Sequence, residues 1–247
     1  MKYEINKDLS NVFSIFTKNI KSHFDNSISS IHKARNEIKI VEFENRSLTI
    51  KSFKIPNIIN KIAYSFFRTS KAKKSYDNSV KIKNFVPEPI SYIEFYNFGL
   101  LNNSYFISEN FKYDFTIREP LIDDIYNDKE SIFKQFAKFT FELHENDILH
   151  LDYSPGNILI KKEDNKYIFK IVDINRMQFK ILSLEDRLRN FAKLWAKDDD
   201  LKTIVIEYSK LINEDEQKCL EIALKFSQAH KDRINAKKRR RGQIVVD

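Results

Sequence analysis

Apolar residues recur along this chain with two periods, and the order of those periods predicts the architecture. Residues Glu37 to Phe43 and Leu48 to Phe53 are apolar-rich segments separated by Glu44–Asn45–Arg46, the pattern of a β-hairpin. A helix is predicted from Lys71 to about Asn84, with Ala72, Tyr76 and Val80 at i, i+4 and i+8. Pro87 and Pro89 end it, because proline and the residue before it resist helical backbone. Two more strands follow, Ile90 to Phe98 and Ser104 to Ser108, joined around Gly99. The strongest helix covers residues 129–145, with Asp128 as N-cap and an inward stripe of Ile132, Phe133, Phe136, Phe139 and Leu143. Ile148 to Met177 then reads as a short loop, a strand, a turn and a second strand. Ser183 caps a helix running through Trp195, with Leu184, Leu188, Phe191 and Ala192 inward, and two amphipathic helices occupy roughly 200–212 and 214–230.

Two segments read less clearly. Residues 1–30 carry Phe13, Ile15, Phe16 and Ile20 without a strong period, a short helix or a loose leader. Pro56 breaks the second strand, and residues 58–69 read as an aromatic helical insert. Strands thus crowd the first half and helices the second. The expected fold is α+β in two lobes, 1–110 and 111–236, followed by a basic tail at 237–247.

Composition narrows the chemistry. The chain of 247 residues is 42% hydrophobic with 21 Phe, enough to bury a sizeable core. Its single cysteine, Cys219, excludes an internal disulfide and a cysteine-based metal site, and lies in an apolar helical pattern that predicts a buried thiol. The five histidines show no zinc-binding spacing, and His144 and His230 read as ordinary surface or helix-end residues. No apolar run reaches the roughly 18 residues of a membrane span, so a cytoplasmic protein, or one on the inner face of a membrane, is expected. The net charge of +8 suits an anionic partner: nucleotide, phosphorylated glycolipid, membrane surface or nucleic acid. Specific nucleic-acid binding is not expected, because no aromatic-interleaved RNA motif or helix-turn-helix accompanies the charge. Lys71, Lys73 and Lys74 are either a solvated face or a greeting for an anionic acceptor. Lys237 to Arg241 are likewise either a solvated tail or a contact with anionic lipid.

The chemistry concentrates in the strand–turn–strand segment. His150, Asp152 and Asn157 stand in the H-x-D-x-x-x-x-N spacing of a phosphotransferase catalytic loop, with Pro155–Gly156 supplying a tight turn. Asp173 ends the apolar run containing Phe169, Ile171 and Val172. A carboxylate at Asp152 can orient an attacking hydroxyl and accept its proton. The Asn157 amide oxygen and the Asp173 carboxylate are donors for Mg²⁺ on nucleotide phosphates. His150 fits a brace for the loop, since Asp152 fills the base role.

HLDYSPGNIL followed by VDINRM resembles the lipopolysaccharide kinase family, the Kdo and heptose kinases of the bacterial envelope. The resemblance extends to LTIKSFKIPN, SKAKKSYDNS and VPEPI, covering roughly residues 36–195, and is shared in part with aminoglycoside phosphotransferases. It implies a protein-kinase-like fold, ATP and Mg²⁺ as cofactors, and an anionic glycolipid or sugar acceptor on the lipopolysaccharide inner core. By the same pattern Lys51 reaches the nucleotide phosphates, Asp77 stands where an acidic partner for that lysine is expected, and backbone groups near Glu109 and Asn110 meet adenine. Two departures accompany it. No Gly-rich loop precedes the Lys51 strand, so the nucleotide roof must be built otherwise, with Arg35 and Asn36 as candidates. Leu151 stands where regulated protein kinases carry Arg, so no activation by phosphorylation is expected. A different small-molecule or protein kinase, and a nucleotide-binding pseudokinase scaffold, remain as alternatives.

Overall fold

The computed structural model describes residues 1–28, 30–33, 36–54, 57–164 and 166–243. The chain forms two compact units. The first comprises Met1–Lys112 with Asp173–Asn175, and the second Tyr113–Val172 with the chain from Arg176 onward.

The first unit is built on a six-stranded antiparallel sheet. Its strands are β1 (Lys2–Ile5), β2 (Ser30–Lys33), β3 (Asn36–Phe43), β4 (Arg46–Phe53), β5 (Pro89–Asn97) and β6 (Leu100–Glu109). Their spatial order is β1-β5-β6-β4-β3-β2. Helices α1 (Ser10–Lys18) and α2 (Ile20–Asn26) carry Phe13, Phe16, Ile20 and Phe24 into a core with Leu48, Ile50, Ile90, Ile93 and Ile107. Each of those buried side chains contributes about 1.5–3 kcal/mol relative to exposure. The N-terminal segment is therefore structural and not a loose leader. Ile15 belongs to no buried stripe and is 75% exposed.

Because side chains alternate along a strand, Leu48 and Ile50 of β4 face that core while Lys51 and Phe53 lie on the opposite face. There α4 (Lys71–Lys81) packs through Ala72 and Tyr76 against Phe53 and Tyr92. Ser70 caps α4, accepting from the Lys73 N–H at 3.1 Å. Val80, expected on the apolar face, is 48% exposed, and Ser75 and Ser79 complete the buried face instead. A short helix α3 (Ile58–Ile62) runs into a π-helical turn at Ala63–Phe67. Pro56 and Arg35 lie outside the described residues.

The second unit holds the short strands β7 (Phe115–Thr116), β8 (Ile148–His150), β9 (Ile158–Glu163), β10 (Lys166–Ile171) and β11 (Met177–Phe179). Its helices are α5 (Arg118–Ile122), α6 (Lys129–Glu145), α7 (Leu184–Phe191), α8 (Asp198–Ile212) and α9 (Glu216–Arg239). The predicted stripe of α6 is its buried face, with Phe139 stacked on Phe169 at 5.4 Å and Phe136 on Tyr153 at 5.8 Å. Asp128 does not cap α6 with its side chain. It takes left-handed backbone, and its carboxylate accepts from the Tyr167 hydroxyl at 2.7 Å. Helix α9 continues through Arg239, so the basic run begins as helix and not as free tail. Cys219 is buried on its inner face. Among the described residues, nine non-glycine residues take positive φ, mostly at turns.

Candidate active site

The loop between β8 and β9 is held from below by a buried histidine. His150 Nδ1 accepts from the Asp152 N–H at 3.0 Å, and Nε2 lies 3.0 Å from the Val172 carbonyl. One ring nitrogen must accept and the other must donate, so the imidazole is neutral with its proton on Nε2. This supports the bracing role expected of His150. Within the same loop Asn157 Nδ2 donates to the Asp152 carbonyl at 2.9 Å. Its Oδ1 has no hydrogen-bond partner among the described residues and is left as an acceptor. Val172 N–H donates to the Asn157 carbonyl at 2.9 Å, so the residue that follows it in the chain, Asp173, begins from that point. Gly156 passes under Arg118, where an added Cβ would meet Nη2 at 2.9 Å.

A second polar layer lies behind the loop. Asn190 Nδ2 donates to the His150 carbonyl at 2.9 Å, while its Oδ1 accepts from His144 Nε2 at 3.2 Å. His144 Nδ1 then accepts from the Tyr208 hydroxyl at 2.7 Å. His144 is therefore not a helix-end surface residue but a neutral core group. Burial, its main influence, pushes its pKa down to about 4. The chain Tyr208–His144–Asn190–His150 ties α8, α6 and α7 to the Asp152 loop.

Lys193 has two cations and the Asp152 carboxylate within electrostatic reach. Burial lowers the pKa of Lys193, with Arg233 and Arg176 acting the same way and Asp152 against them. Burial also lowers that of His230, with Lys193 and Arg233 adding to it. Nothing in the spacing of Lys193, Arg176 and Arg233 along the chain signals this grouping.

In the first unit, Lys51 Nζ lies 2.7 Å from Asp173 Oδ1, with the lysine side chain 13% exposed. Asn175 Nδ2 donates to the same oxygen at 2.7 Å, and Asn78 Nδ2 reaches the Ile174 carbonyl at 2.6 Å. Asp173 itself has left-handed backbone, φ 58°, an unusual state for a residue with a side chain. The expected pairing of Lys51 with Asp77 is not formed. Asp77 lies on the exposed side of α4 and pairs with Lys73 at 2.9 Å, one turn away. Asn78, the next residue, is the one directed at the Asp173 segment.

The backbone N–H groups at the expected adenine position are engaged within the unit. The Glu109 N–H is used at the Glu88 carbonyl and the Asn110 N–H at the Ser47 carbonyl, each at 2.8 Å, because sheet pairing extends through Glu109. The Asn110 side chain is engaged too, accepting from Thr49 Oγ1 at 3.2 Å and donating to Ser47 Oγ at 3.2 Å. Asn36 opens β3 and accepts from the Lys54 N–H at 3.4 Å.

No protein-family model and no curated protein matches the chain. A solved structure, WaaP in complex with acyl carrier protein, is similar over 94% of this chain and 99% of that chain, with a TM-score of 0.61 and 10% sequence identity. The fold is α+β and protein-kinase-like. Such a likeness speaks to fold alone, and the chemistry has to be argued from the residues.

Proposed function

We propose that this protein is an ATP-dependent phosphotransferase that phosphorylates a sugar hydroxyl of an anionic glycolipid of the lipopolysaccharide inner-core type. The observation that carries the reading is the Lys51–Asp173 pair at 2.7 Å. It joins two residues 122 apart in sequence, both expected at the nucleotide.

In this reading Asp152 orients the acceptor hydroxyl and takes its proton as the new bond to the γ-phosphorus forms. The bond from that phosphorus to the β–γ bridging oxygen breaks, and ADP leaves. His150 and Asn157 hold the Asp152 backbone from two sides, limiting the geometry the carboxylate can explore. Lys51 brings a point charge to the phosphates and exchanges Asp173 for them when nucleotide arrives. Asn157 Oδ1 and the Asp173 carboxylate are hard oxygen donors that fit Mg²⁺, which takes a few protein oxygens beside substrate phosphates and water. Bound there, Mg²⁺ would neutralise charge developing on the transferred group. Lys193 and its neighbours Arg176 and Arg233 suit an acceptor that is itself anionic. The free donors for adenine would come from residues after Asn110, such as Phe111. WaaP is known here in complex with acyl carrier protein, and an acidic carrier protein is a corresponding partner candidate for this basic chain. The cations Lys237 to Arg239, carried on α9, offer a peripheral contact with anionic membrane.

The deciding experiment is incubation with ATP, Mg²⁺ and a panel of core glycolipids, followed by mass analysis for added phosphate. Phosphate on a core sugar supports the reading. Transfer to a soluble sugar or a protein, but to no glycolipid, overturns the acceptor assignment. The absence of ADP release with every acceptor overturns the phosphotransferase assignment.

A further inference from the structure

A helix on the surface of a soluble protein ordinarily turns its apolar stripe inward. The segment from Ile58 to Phe67 does the reverse. Ile59, Ile62 and Phe66 fall at i, i+3 and i+7, and with Ile58 and Phe67 they are between 44% and 83% exposed. The half-buried side carries Lys61, Ala63, Tyr64 and Ser65. Ser65 Oγ donates to the Lys61 carbonyl at 2.6 Å and accepts from the Leu101 N–H at 2.8 Å. That second bond fastens the helix to the β5–β6 hairpin. Three residues before Leu101, at the hairpin tip, Phe98 is 98% exposed on left-handed backbone with φ 48°. Two elements tied together thus present large apolar side chains to the outside.

The charge around them has one sign. From Lys51 to Tyr76 the chain has seven Lys or Arg and no Asp or Glu. Lys51 and Lys73 are paired, with Asp173 and Asp77. Lys54, Lys61, Arg68, Lys71 and Lys74 form no ion pair among the described residues. Apolar side chains rimmed by uncompensated cations match the two layers of an anionic bilayer surface, acyl boundary beneath phosphate.

We propose that the helix at 58–67, with Phe98 beside it, is an interfacial anchor that docks this unit on anionic lipid. Ile59, Phe66 and Phe67 enter the acyl boundary while Lys61, Arg68, Lys71 and Lys74 meet the phosphates. This surface is made of residues other than the α9 cations, and it does not depend on the phosphotransferase reading, because its test requires no turnover.

The test is sedimentation of the full-length protein with mixed phosphatidylcholine–phosphatidylglycerol vesicles and with pure phosphatidylcholine vesicles. The Ile59→Ser/Phe66→Ser/Phe67→Ser variant changes only exposed side chains, and an unchanged melting temperature confirms its fold. It should bind mixed vesicles at least about tenfold more weakly, and so should an Arg68→Gln/Lys71→Gln/Lys74→Gln variant. A chain cut after Ala236 should retain binding. Phe66→Trp should give a blue-shifted emission on mixed vesicles only. Unchanged binding by the serine variant overturns the proposal, as does binding lost wholly with the cut. A concentration-dependent dimer abolished by the serine variant, with vesicle binding intact, would assign the face to a second copy of the chain instead.

Discussion

Lys51 and Asp173 share a contact of 2.7 Å, while Asp77, four residues from its own partner, is held by Lys73 on the outside of α4. The strand lysine is therefore neutralised by the carboxylate that would also face magnesium. Lys51→Met should lower turnover by about a hundredfold or more, the scale of losing a positioned charge at a reacting group. Lys73→Ala should leave turnover unchanged and alter stability by less than about 1 kcal/mol, as expected for an exposed pair. Steady-state assays and thermal melts of the two variants check this, and equal losses in both would contradict it.

Asp152→Asn keeps the shape of the loop but removes the proposed proton acceptor. Turnover should fall about 10²–10⁴-fold, with nucleotide affinity nearly unchanged because Lys51 and Asp173 remain. Asp173→Asn should weaken both. Calorimetric titration with nucleotide and Mg²⁺ separates the two outcomes.

His144 makes stability depend on pH in a stated direction. It is neutral in the fold until about pH 4, whereas in the unfolded chain it titrates at its ordinary 6.5. Above 6.5 neither state binds the proton and the residue contributes no slope. As pH falls from 6.5 toward 4, the unfolded chain takes the proton and the native one does not. Stability is lost across that window, by up to about 3 kcal/mol. His144→Gln should melt with a shallower pH dependence over the same window, whatever its stability at neutral pH. Denaturant titrations at a series of pH values measure this slope.

Asn190 is the joint between His144 and the Asp152 loop, with both ends of its amide engaged. Asn190→Leu should destabilise by about 1–3 kcal/mol, the cost of leaving buried partners unsatisfied. It should also reduce turnover, because the disturbed loop carries the proposed base, and weaken Mg²⁺-dependent nucleotide binding, because Asn157 lies in the same loop. Unchanged turnover in a folded variant would show that the loop needs no such support.

The fold was legible where periods were long and where spacing was local. The α6 stripe runs for about three turns of a 17-residue helix, and Asp152 and Asn157 stand five apart in one loop. Helices α1 and α2 are 9 and 7 residues long and meet at Asn19, so the recurrence of Phe13, Phe16, Ile20 and Phe24 crosses a break. Exposed Ile15 obscured it further. Whether Asp77 meets Lys51 was not legible, because adjacent residues on a helix point about 100° apart, and here Asn78 faces the Asp173 segment while Asp77 pairs with Lys73. His144, Asn190 and Tyr208 make bonds 46 and 64 residues apart in sequence. No periodicity encodes such pairings, which arise only when helices pack. The Lys193 group escaped for the same reason.

The left-handed turns have a practical consequence for heat tolerance. Glu44, Asp147 and Asn213 are exposed residues at positive φ in a chain of only three glycines. Glycine adopts that backbone without the crowding a Cβ brings, about 1–2 kcal/mol for an ordinary residue and less for Asn or Asp. Each of these turns is thus a place where one substitution could raise the melting point by about 2–4 °C per kcal/mol gained. All three lie at turns that do not themselves carry Asp152, Asn157, Asp173 or Lys51. The protein carries its own inventory of sites for making a hardier variant without disturbing its chemistry.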